Sequence, residues 1–206
     1  MDIYDPARTG LVVFDMLEAY REPIEAAGSI GPTQELIASC RGAGVPIFYA
    51  HADHRADGAD FARSIADTDS HFRPWGEDNP MRLVPPHASG SQGLKVMREI
   101  APQEGDYEVP KHRWNAFHGT HLELSLRSRN IDHILLVGGS VHVGIASTAY
   151  SARDKDFQVT VVSDCCHGFP EQRTFFMEKV FPRMCHVRRL SDVVAGLGAE
   201  VATASA

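Results

Sequence analysis

The sequence lacks a basic excess, a membrane-length apolar run and a cysteine framework, and each absence removes a class of function. Twenty Lys and Arg stand against 27 Asp and Glu, a formal net charge of −7 at pH 7. Without a basic footprint, nucleic acid is not an expected partner. No apolar run approaches the length that spans a bilayer, and Met1-Asp2-Ile3-Tyr4-Asp5 has neither the basic nor the apolar region of a signal peptide. The expectations are therefore a cytoplasmic location and no membrane partner. Cysteine occurs four times, as Cys40, Cys165, Cys166 and Cys185, at spacings that no metal site uses. A disulfide framework is not expected in a chain of this size, and the four read as buried thiols.

What is present suits a globular chain. A hydrophobic content of 43% and a charged content of 23% over 206 residues fit one domain, 1–206, with a sizeable core. Apolar runs at 11–14, 46–50, 107–109, 134–137, 159–162 and 186–190 read as strands. Amphipathic stretches at 33–41, 93–100, 120–129, 145–154, 171–181 and 191–197 read as helices, the third opening on a capping box, Thr120-His121-Leu122-Glu123. Strand–helix alternation without repeats predicts an α/β fold of three layers, α/β/α, around a doubly wound, mainly parallel six-stranded sheet. The exception is 51–91, rich in His, Arg, Asp, Gly and Pro. Its Phe72, Trp75 and Met81 favour an ordered excursion over a linker.

Chemistry-bearing residues fall where strands end, the edge at which open α/β sheets bind ligands. Val12-Val13-Phe14-Asp15 ends an apolar strand on a carboxylate, which must be paired or hold its proton. Lys111 follows Tyr107-Glu108-Val109 and opens a segment dense in cations and aromatics, Lys111 to His118. The buried run Ile134-Leu135-Leu136-Val137 leaves through Gly138-Gly139-Ser140-Val141-His142-Val143-Gly144 into a helix of small residues. A Cys or Ser at the helix entry would suggest acyl transfer; Gly144 cannot be a nucleophile.

Asp15, Lys111 and this strand–turn–helix elbow, in this order, resemble the isochorismatase-like hydrolase superfamily from about Gly10 to Leu190. Most of that superfamily carries a catalytic Cys at the position of Gly144 and cleaves amides. His142-Val143-Gly144 and Lys111 to His118 look instead like the branch resembling isochorismatase proper. That resemblance implies hydrolysis of a vinyl (enol) ether without a covalent intermediate, with release of pyruvate. Asp15 would be the general acid on the terminal carbon, and Lys111 would orient it and meet a substrate carboxylate. Burial favours a carboxyl that holds its proton, and a neighbouring ammonium opposes it. Gly144 would leave room for substrate and water. The family's oxyanion hole would fall on the backbone N–H groups of Ser140 and Gly144, with a cis peptide at Gly139–Ser140.

Further substrate-binding candidates are His51, Arg73, Arg113, Trp114, Phe117, Ser140 and His142. His51 stands where the isochorismatase branch usually has Gln. Arg73, Arg82 and Arg113 could clamp a carboxylate or lie on the surface, and Trp114 and Phe117 suit either core packing or a lid. His51-Ala52-Asp53-His54 suggests a metal site of some nicotinamidases, but its spacing differs, and neither metal nor cofactor is expected. The expected partner is a small, carboxylate-bearing molecule, in a homodimer or homotetramer by resemblance. Competing readings are an amide or imide hydrolase with Asp15-activated water, and a catalytically silent small-molecule binder.

Overall fold

A computed structural model describes residues 2–57, 59–60 and 88–198. The segment holding Phe72, Arg73, Trp75, Met81 and Arg82 lies outside these.

The six strands are β1 (Thr9–Phe14), β2 (Ile47–Ala52), β3 (Tyr107–Lys111), β4 (His133–Gly138), β5 (Gln158–Cys166) and β6 (His186–Arg188). They form one sheet in the order β3-β2-β1-β4-β5-β6, every pairing parallel. Both faces of β1 are apolar, as a parallel strand covered on two sides requires. Val12 and Phe14 join one core cluster, and Leu11 and Val13 the other. The first is covered by α3 (Leu122–Ser128) through Leu122 and Leu126, and by α4 (Ala146–Asp154) through Ala146 and Ala149. The second is covered by α2 (Ile30–Ala43) through Leu36, Ile37 and Cys40, and by α6 (Leu190–Leu197) through Val193 and Leu197. The result is the three-layer α/β/α architecture expected from the sequence.

The chain winds outward from β1 to β3, returns beside β1 as β4, and winds the other way to β6. The switch point therefore lies between β1 and β4, and the crevice beyond their carboxyl ends is the natural ligand site of such a sheet. Asp15 and Gly139 are the first residues past those two ends.

Several elements differ from the sequence reading. The stretch at 93–100 is not a helix but two 3₁₀ turns, Gln92–Leu94 and Arg98–Ile100. Between them the backbone is held extended against residues 16–18: Glu18 donates its N–H to Lys95 O at 2.9 Å, and Met97 to Met16 O at 3.0 Å. The capping box at Thr120 does not form. Its hydroxyl donates to Ala116 O at 2.5 Å, Glu123 pairs with Lys155 at 2.6 Å, and α3 starts at Leu122 without a side-chain cap. A short helix, α1 (Arg21–Ala26), stands where none was expected. Its Pro23 is tolerated because the N–H of a first-turn residue has no intrahelical acceptor. The helix at 171–181 is α5 (Pro170–Phe175) continued by a π turn, Phe176–Val180.

Candidate active site

A cleft of about 720 Å³ opens at the switch point. Its floor is made by Phe14, Asp15, Gly139, Ser140 and Gly144, from the ends of β1 and β4. Asp15 leaves β1 in a left-handed conformation, φ 45°, which costs free energy in a non-glycine residue and turns the carboxylate across the end of β2. There Oδ1 accepts the Ala52 N–H at 2.9 Å, and Oδ2 accepts the Lys111 ammonium at 2.7 Å. Lys111 is the last residue of β3 and is buried to 3% exposure; Asp15 is 9% exposed. The Lys111 Nζ also stands 4.2 Å from the centroid of the Phe14 ring. Asp15 borders the cleft and Lys111 lies behind it, its charge committed to Asp15.

The elbow after β4 begins with a cis peptide at Gly139–Ser140 and continues as a π turn, Val141–Ile145, into α4. At its end, a Cβ on Gly144 would lie 2.5 Å from Cζ of Phe14. This corrects one expectation: the space that the missing side chain leaves is filled by the Phe14 ring, not kept for substrate and water. Glycine is required here because the Phe14 ring occupies the space that a Cβ would take.

The other sequence candidates divide. Ser140 and Trp114 line the cleft, Trp114 at its mouth with 62% exposure. His142 lies just outside, its Nδ1 3.1 Å from Ser140 Oγ and its ring tilted against Phe169. Phe117 is buried in the core and stacks on Phe157. His51 is a strand residue that does not reach the cleft; its Nδ1 lies 3.3 Å from Ala52 O. Arg113 donates to Asp60 O at 2.8 Å and His112 O at 2.6 Å, away from the cleft. Arg73 lies outside the described residues.

Cleft residues that escaped the sequence reading include Tyr20 and Pro23, from the turn and helix α1 after β1, and His167, Phe169 and Arg173 from the segment after β5. The sequence reading ended β5 at 162, and the structure carries it on to Cys166. With β5 running to Cys166, His167 is the first residue past a strand's carboxyl end, as Asp15 is after β1. His167 is 4% exposed, and burial lowers its pKa to about 4, so the ring is neutral at pH 7. A Cβ on Gly139 would lie 2.6 Å from His167 Nε2, so glycine there lets the imidazole close onto the elbow. None of the four cysteines borders the cleft. Burial pushes the thiols of Cys40, Cys166 and Cys185 up to about 12, and that of Cys165 up as well, which makes thiolate chemistry unfavourable.

Among the described residues, the grouping able to take a divalent cation is His54, Asp60 and His112, each offering one ligand atom within 4.8 Å of the others. It shares only His54 with the stretch noted in the sequence. The Asp60 carboxylate stands between the two rings, 3.5 Å from His54 Nδ1 and 3.1 Å from His112 Nδ1.

Comparison with known proteins follows the same lines. Residues 9–192 match the isochorismatase domain. The chain is 30% identical over 194 residues to YecD of Escherichia coli O157:H7, an uncharacterized isochorismatase family protein, covering 92% of this chain and 96% of that one. A solved isochorismatase family protein from Burkholderia thailandensis superposes with a TM-score of 0.80 at 26% identity, over 97% of this chain and all of the other (100%). N-carbamoylsarcosine amidase from Thermoplasma acidophilum superposes with a TM-score of 0.67 at 27% identity, over 89% of this chain and 96% of the other.

Proposed function

This chain belongs to the isochorismatase family, and from that premise we propose that it hydrolyses a small-molecule enol ether, with Asp15 as the general acid and pyruvate as a product. The observation that carries this reading is the pairing of an intact Asp15–Lys111 couple with a helix entry, Gly144, that carries no nucleophile. The place a thiol would take at Gly144 is filled by the Phe14 ring, and every cysteine lies elsewhere. A water-based route without a covalent intermediate suits that arrangement.

In this reaction the substrate's carboxylate, on binding beside the Asp15–Lys111 couple, favours uptake of a proton by Asp15, and the acid gives that proton to the terminal methylene carbon of the enolpyruvyl group, forming the C–H bond of a new methyl. The electron pair comes from the carbon–carbon double bond, and the remaining cation is stabilised by the ether oxygen. Water adds to that cation and loses a proton, which returns the carboxyl to its starting state. The hemiketal then breaks its bond to the leaving oxygen, giving pyruvate and an alcohol. Lys111 holds the acid in place from behind, and the Ala52 N–H fixes the other carboxylate oxygen. General acid catalysis of this kind is worth about 10²–10⁴-fold.

The likeness to N-carbamoylsarcosine amidase favours a second reading, amide hydrolysis by water that Asp15 activates. Purified protein offered both enolpyruvyl ethers and small amides separates the two. Pyruvate without ammonia supports the ether reading; ammonia from the amides, with no pyruvate from the ethers, replaces it with the second.

A further inference from the structure

A small acid bound in this cleft needs a partner for its carboxylate, and the expected one is spent. Lys111 is buried behind Asp15 and paired with it. Arg113 is engaged elsewhere. The wall that follows β5 offers two groups that the hydrolytic scheme does not use. Arg173 borders the cleft; its Nε donates to Cys166 O at 3.2 Å and its Nη2 to Ser163 O at 2.7 Å. These bonds fix the guanidinium beside the peptide that joins Cys166 to His167. Among the described residues, Nη1 has no partner and no carboxylate pairs with Arg173. His167 borders the same wall. Its Nδ1 is sealed from solvent with no hydrogen-bond partner among the described residues, while Nε2 lies against Gly139 at the cleft and bonds to none of them.

Those contacts assign the tautomer. A proton on Nδ1 would bury a donor with no acceptor, and orphaned N–H groups are rarer in folded proteins than under-satisfied acceptors. The proton therefore sits on Nε2, and the ring presents a donor to the cleft. The same cleft is lined by the apolar surfaces of Tyr20, Pro23, Trp114 and Phe169.

We propose that Arg173 and His167 form the subsite that anchors the substrate's carboxylate, with a flat apolar body lying against Trp114, Tyr20 and Phe169. The proposal rests on the reading of this cleft as the substrate site of a hydrolase, and it adds the class of molecule admitted: an apolar-bodied monoacid. Arg173 supplies charge and His167 a neutral hydrogen bond, so the subsite holds its selectivity across the pH range in which the imidazole stays uncharged.

Calorimetric titration with benzoate and with benzamide, its neutral isostere, tests this without turnover. The wild-type protein binds benzoate more tightly than benzamide. Arg173→Gln weakens benzoate about tenfold, the worth of one charge-assisted hydrogen bond, and leaves benzamide nearly unchanged. His167→Phe weakens both, since each probe presents an oxygen to Nε2, and His167→Gln, which can place an amide N–H at the same point, restores both. In protein labelled with ¹⁵N-histidine, the His167 Nε2 resonance carries the proton at pH 7 and shifts when benzoate is added. No benzoate binding by the wild type, unchanged benzoate affinity in Arg173→Gln, or a His167 resonance that does not move would each overturn the proposal. Benzoate binding that follows this pattern in a protein that hydrolyses none of the ethers or amides would remove the hydrolase reading and keep the anchor.

Discussion

At the scale of single residues, the site is two complementary pairs. Asp15 and Lys111 are an ion pair at 2.7 Å between groups exposed by 9% and 3%. Replacing one partner leaves the other's charge buried without compensation, which typically costs about 3–5 kcal/mol. Asp15→Asn is therefore expected to lower the denaturation midpoint, and Asp15→Asn combined with Lys111→Met to regain part of the loss; urea unfolding of both reads it. Gly144 and Phe14 form the other pair, a missing Cβ against an aromatic ring. Gly144→Ala forces the ring aside, an overpacking cost of about 1–3 kcal/mol. Adding Phe14→Leu should restore some of that stability, because the shorter side chain vacates the contested space. Equal stability of Gly144→Ala and the parent would show that the ring moves freely.

At the scale of elements, the strands were legible wherever an apolar run was unbroken. β1 and β4 were read to within two residues at either end, because both of their faces are buried. β5 was read as ending four residues early, since Ser163 and Asp164 interrupt its apolar run. Those polar groups are satisfied by residues distant in sequence: Asp164 Oδ2 accepts the Leu190 N–H at 2.7 Å, and Ser163 Oγ donates to Arg188 O at 3.2 Å. No local pattern reveals such partners, and the same error hid His167 and Arg173 from the sequence reading. The turns at 92–100 were missed for a similar reason, their shape being set by bonds to residues 16–18. The ends of β1, β3 and β4 were visible as motifs, so Asp15, Lys111 and Gly144 could be named in advance. What the Gly144 gap holds could not, because it depends on how one ring packs. β5 also carries Cys165 and Cys166, both buried away from the cleft. Iodoacetamide treatment of the native protein should leave turnover intact, checked by mass spectrometry alongside activity. Loss of activity on labelling a single cysteine would point to a thiol route.

At the scale of the whole molecule, a buried histidine, His167, and a half-buried one, His133, make stability fall toward acid pH. Burial lowers the pKa of His133 to about 4, helped by nearby His186, and burial does the same for His167. Their unfolded values are near 6.5, so the unfolded chain takes up protons first. The folded state keeps its full stability above about pH 6.5 and loses it as the pH falls toward 4, by up to about 1.4 kcal/mol per pH unit for each ring. Urea midpoints measured at pH 7 and pH 5 should differ in that direction. His167→Gln should flatten the slope; an unchanged slope would mean that His167 titrates alike in both states. The large exposed side chains Trp114 and Phe169 beside the cleft mouth support the proposal of a homodimer or homotetramer. Light scattering giving 22.6 kDa at micromolar concentration would remove that proposal.

Proton delivery from Asp15 to carbon leaves an isotopic mark in the product. Pyruvate release from an enolpyruvyl ether is followed for the wild type and for Asp15→Asn, with the reaction run in D₂O and the product's methyl group read by mass. The wild type should give singly deuterated pyruvate, and Asp15→Asn, with its fold verified by circular dichroism, should react at least about 10²-fold more slowly. Undiminished pyruvate release by the Asn variant would contradict it.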